Sequence, residues 1–110
     1  MAVLADFVFL DASSTVTTSN TFFVPYGASE VVLQVKSSGT ADITVKGKVD
    51  KDNGDFEAVG VIDMSDYSTA ETIGANGLFL VPAAGIREMQ VVSGEAAGSV
   101  TVFGSAVGEG

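Results

Sequence analysis

The 110-residue chain carries 14 Asp+Glu against 5 Lys+Arg, a formal net charge of -9, and contains no His, no Cys and no Trp. Without His or Cys it lacks the usual acid/base, the reactive nucleophile and the soft metal ligands, which excludes triad hydrolases and zinc or blue-copper centres within one chain. The acidic balance opposes nucleic acid and anionic membrane surfaces, whose binding rests on Lys and Arg, while 46% hydrophobic residues exclude a disordered acidic tail.

The local texture is strand and turn: valine occurs seventeen times and leucine five, a bias toward residues that suit a pleated sheet. The start lacks a basic n-region and meets Asp6 at once, so no signal peptide is expected, and no apolar run approaches the ~18 residues that span a bilayer. Residues 7–10 and 16–18 read as strands, with residues 1–12 either a first strand or an N-terminal arm. Residues 21–24 form a short strand halted by Pro25, and a turn at 26–29 leads into the alternating run 31–36. Residues 43–49 are the clearest strand, apolar or glycine at odd positions and polar at even ones. Asn53-Gly54 then separates it from 56–62, a hairpin signal because both residue types tolerate the positive φ of a type I′ turn. Residues 63–71 and 83–86 read as loop or short helix. Strands are expected at 78–81, halted by Pro82, then at 87–92 and 99–106.

About eight or nine strands at this spacing predict an all-β fold, a two-sheet antiparallel β-sandwich over residues 1–110, with a jelly roll among the topologies it allows. Each alternating strand has one face to bury, which requires a second layer. Small residues on the inward rows, Gly47, Ala58, Gly60, Gly104 and Ala106, would let the sheets approach.

Two acidic groups invite a binding reading. Asp50, Asp52 and Asp55 bring carboxylates close enough to suggest calcium, but Gly54 stands where a third ligand belongs and no glutamate closes the loop. Turn chemistry accounts for the same residues, so neither metal nor cofactor is expected. The second group, Asp63, Asp66 and Glu71 around Tyr67, reads as a contact loop or as ordinary loop composition. Apolar side chains on faces that should be wet are more informative. If Val100, Val102, Gly104 and Ala106 point inward, Phe103 and Val107 point out, and 78–81 has no polar side at all. Either loops cover these faces or another subunit does. The residues expected to make protein contacts are Phe7, Phe9, Phe79 and Phe103.

Between Glu30 and Val107 the pattern runs Val31-Val32-Leu33-Gln34-Val35, Ala41-Asp42-Ile43-Thr44-Val45-Lys46-Gly47, then Phe56-Glu57-Ala58-Val59-Gly60. It continues with Ile73-Gly74-Ala75-Asn76-Gly77-Leu78-Phe79 and Ala84-Gly85-Ile86-Arg87-Glu88-Met89-Gln90-Val91, and ends at Gly98-Ser99-Val100-Thr101-Val102-Phe103-Gly104. This resembles the small acidic β-sandwich structural proteins of tailed bacteriophages, which serve as head decoration, head-fibre or tail-associated components. The resemblance implies a non-enzymatic virion protein that decorates or cements the capsid, a homo-oligomer whose partners are capsid or other virion proteins. One departure is the Trp often found near Phe56 in such modules. The alternative is a carbohydrate- or receptor-binding module of a tail or cell-surface protein, with a groove of Tyr26, Tyr67 and nearby acids.

Overall fold

The computed structural model describes residues 2–14, 16–49, 54–94 and 98–108. Among them are eleven strands and no helix: β1 (Ala2–Ser13), β2 (Thr17–Thr18), β3 (Phe22–Phe23), β4 (Ala28–Ser37), β5 (Ile43–Lys48), β6 (Glu57–Ala58), β7 (Val61–Asp63), β8 (Thr69–Ala70), β9 (Gly77–Pro82), β10 (Glu88–Ser93) and β11 (Val100–Gly108). All described pairings are antiparallel and fall into two sheets. A six-stranded sheet runs β1-β11-β4-β9-β7-β8, and a five-stranded one runs β2-β10-β5-β6, with β3 also on β10. The fold is a β-sandwich.

Strands outnumber the eight or nine expected because one predicted run breaks in two and because β8 (Thr69–Ala70) forms inside 63–71, read from the sequence as loop or short helix. Residues 56–62 divide between the sheets: Glu57 and Ala58 pair with Gly47 and Lys46, whereas Ile62 pairs with Leu80 of the opposite sheet. Val59 makes the last bond to the five-stranded sheet, its N–H donating to the Val45 carbonyl at 2.8 Å, and exposed Gly60 carries the chain across. Ala58 and Gly60 therefore face outward, unlike Gly47, Gly104 and Ala106, which are buried as expected. The two strands of the β5–β6 hairpin pair as expected, with Gly47↔Glu57 the last pair among the described residues and Gly54 at φ 87°. Asn53, the other half of its turn signal, lies outside the described residues. Residues 64–66 and 84–85 are turns and not helices.

The core lies between the sheets. Val31, Leu33, Val35, Val81, Val100 and Val102 come from one side, and Ile43, Val45, Met89 and Val91 from the other, all essentially without solvent contact. Each set occupies alternate positions of its strand, as burial of one face requires. Ile73 extends the core from a loop, exchanging backbone bonds with Ile43 at 2.8 and 3.0 Å. Residues 2–13 are a strand of the sheet and not a free arm. In β1 the pairing with β11 slips between Val3 and Ala5, between Val8 and Leu10, and between Leu10 and Ser13. The middle slip turns both Phe9 and Leu10 inward, which simple alternation could not do.

Candidate interaction face

The register of the six-stranded sheet fixes which side chains share its outer surface. One row crosses four strands as Val8, Phe103, Gln34 and Leu78. The next crosses five as Asp6, Ser105, Val32, Leu80 and Ile62. A third carries Val3, Val107, Glu30 and Pro82. Cross-strand neighbours of this kind have Cβ atoms about 5 Å apart, so Val8 adjoins Phe103, and Val32, Leu80 and Ile62 adjoin in turn, while Gln34 stands between Phe103 and Leu78. Val8 keeps 52% of its surface exposed, Leu78 47% and Phe103 42%. Between them is an open groove of about 450 Å³ lined by Val32, Phe103 and Leu78, with Asp6, Gln34 and Ser105 as its polar members.

Phe103 thus stands where the alternation of β11 puts it. The other three aromatic contact candidates do not. Phe9 and Phe79 are each only 5% exposed and belong to the core. Phe79 opposes Leu33 in the register and points inward with Val81, leaving Leu78 and Leu80 on the surface. Phe7 is half-buried, its ring 4.9 Å from Phe9 and 5.1 Å from Phe22 of the opposite sheet. Phe9 and Phe22 close the cluster at 5.7 Å, edge to face. The residues missed by the sequence are Val8 and Leu78. Their signal was the phase of β1 and β9, which an apolar run without a polar side does not supply.

The other candidates separate. Asp50 and Asp52 of the calcium reading lie outside the described residues, and Asp55 is exposed; among the described residues no group of three His, Cys, Asp or Glu could hold a metal ion. Tyr26 precedes Ala28, at the end of the sandwich where β4 begins. Tyr67 lies in the turn whose Met64 N–H donates to Leu78, near the start of β9, which pairs with the far end of β4. The ten-residue β4 spans ~30 Å, so the two tyrosines mark opposite ends and cannot line one groove. The Tyr67 turn is a tight loop: Asp63 Oδ1 accepts from Ser65 N and Oγ, and Asp66 Oδ1 from Ser68 N and Oγ, at 2.7–3.0 Å. The Ser68 hydroxyl, then its backbone N–H, hold the Asp66 carboxyl below its ordinary pKa. No helix among the described residues is long and apolar enough to cross a membrane.

Comparison with known proteins places this architecture. The SPBc2 prophage-derived protein YomS superposes with a TM-score of 0.82 over 93% of this chain and 90% of its own, at 19% identity. The PBSX exported protein XepA superposes with a TM-score of 0.84 over 93% of this chain, at 19% identity, and this chain spans only 37% of it. Phage-derived proteins share this fold. No protein-family model and no curated protein matches the sequence. At such identity the likeness is one of fold, and the resemblance read from the strand pattern agrees with it.

Proposed function

We propose that the chain is a non-enzymatic structural protein of a phage particle, docking through the outer face of its six-stranded sheet onto capsid subunits or sister copies. The observation that carries this reading is the exposed row of Val8, Phe103 and Leu78 over its groove. Three large, partly exposed apolar side chains in one row, with Gln34 alone between Phe103 and Leu78, are what association surfaces bury. The sheet edges are poor alternatives. β1 is interrupted by three register slips, and β8, β6, β2 and β3 are two residues each. Bulged or very short edges are devices that discourage strand addition. The strand order also supports a virion role. With β2 and β3 taken as one broken strand, β1-β11-β4-β9 facing β2/β3-β10-β5-β6 reads as the jelly roll frequent in capsid proteins. A chain without His or Cys lacks the commonest catalytic side chains, and many weakly docking copies on one particle would add avidity.

Phe103→Asp puts a charge into the middle of the docking row without touching the core. The variant is expected to keep the wild-type melting temperature within a few degrees and to lose association in light scattering, alone and with purified capsids. A wild-type protein that stays monomeric and ignores capsids would overturn the reading, as would a Phe103→Asp protein that associates normally.

A further inference from the structure

The outer face of the six-stranded sheet holds its charges in a definite order. On β4 the side chains that share this face are Glu30, Val32, Gln34 and Lys36, alternating with the buried Val31, Leu33 and Val35. The strand thus presents an acid at one end and a base at the other. Six residues of strand hold the two ~20 Å apart, too far to meet within one copy. Lys36 is exposed and Glu30 half-buried, and neither has an ion-pair partner among the described residues. In the two rows between them the only charge is Asp6, on the edge strand β1.

A strand with opposite charges at its two ends is complementary to a reversed copy of itself. Chains that associate with themselves most often do so about a two-fold axis, which sets one face against the same face. With the axis along the strands, Glu30 would meet Glu30 and Lys36 would meet Lys36. With the axis across them, each strand lies antiparallel over its own counterpart, and Glu30 of either copy meets Lys36 of the other. Facing sheets pack ~10 Å apart, a gap that a glutamate and a lysine side chain span together. The axis then crosses β4 at Leu33, midway between the charges. Leu78 comes over Leu80 of the second copy, and Phe103 comes down into the groove beside its Ser105 and Val32. Val8 falls beside Asp6 at the rim, where the carboxylate still reaches water. We infer that two copies pair through this face about a two-fold axis across β4, with Glu30 of each on Lys36 of the other. The inference rests on the docking face proposed above and assigns its occupant, a second copy. Exposed ion pairs add little affinity, so the apolar side chains supply the association and the charges set its direction.

Sedimentation velocity of the intact chain up to about 1 mM, where a Kd of that order leaves much of it dimeric, is the test. Glu30→Lys and Lys36→Glu each place like charges together twice per dimer and should weaken association at least about tenfold. An equimolar mixture of the two variants restores both pairs and is expected to dimerise as wild type does. General repulsion predicts the opposite for Glu30→Lys, which brings the net charge of -9 nearer to zero and would strengthen association. Amide spectra check that the variants fold; Glu30→Gln, which keeps the shape, should also weaken association and covers a Glu30→Lys chain that does not fold. A monomeric wild type overturns the inference, as do charge variants that dimerise normally or a mixture as weak as its parts. If those failures come while Phe103→Asp still abolishes docking on capsids, the face stands and only its pairing with a second copy falls. Normal association by Phe103→Asp removes the face itself.

Discussion

Gly104 explains why Phe9 is core and not contact. A Cβ built on Gly104 would come within 2.5 Å of Phe9 Cε2 and 3.3 Å of Leu33 Cδ2, so the ring occupies the space that a side chain on β11 would need. Phe7, paired with Gly104 in the register, and Phe22 across the sandwich complete the cluster. Gly104→Ala therefore forces the ring or β11 to move. It is expected to destabilise the fold by about 1–3 kcal/mol, the usual cost of overpacking. Denaturant unfolding measures this directly; an unchanged midpoint would mean that the ring swings aside freely. The same substitution should leave the outer row intact, because the added methyl points inward.

At the scale of elements, what the sequence disclosed depended on whether a strand has a polar side. Residues 43–49 and 99–106 alternate cleanly, and their buried and exposed positions could be assigned before any coordinates. Residues 78–81 do not alternate, so nothing in the run itself distinguished Phe79 from Leu78. The register against Leu33 decided it. Residues 7–10 were ambiguous for another reason: a bulge turns two successive residues inward, and it arises from pairing with β11 across almost the whole chain. The split of 56–62 is likewise a choice made by two sheets, marked in the sequence only by Gly60. The loop at 63–68 is local and can be tested locally. Its Asp66 has a lowered folded-state pKa, so its contribution is present above the ordinary carboxylate range and is lost as pH falls through that lowered value. Ser68→Ala removes the largest cause. Side-chain carboxyl NMR should then show Asp66 titrating at higher pH, with the melting temperatures of variant and wild type converging in acid. A titration unaltered in Ser68→Ala would mean that the backbone N–H alone holds the carboxylate.

For the molecule as a whole, charge and apolar surface act in opposite directions on association. Each copy carries a formal net charge of -9, so two copies repel over the range at which their fields extend. That range is ~10 Å at 0.1 M salt and ~3 Å at 1 M. The proposed docking row holds Val8, Phe103 and Leu78, with only Gln34 polar among them, and salt does not weaken burial of such a surface. Self-association through this face should therefore strengthen as salt rises between about 0.1 and 1 M, because repulsion is screened while the attraction remains. Sedimentation velocity across that series reads the effect. Phe103→Asp should stay monomeric throughout, since screening cannot restore the lost apolar contact or remove the cost of burying a carboxylate. Dissociation on adding salt would mean that charge pairs hold the copies together. The acidic loops, and not the outer face of the six-stranded sheet, would then be the surface to mutate.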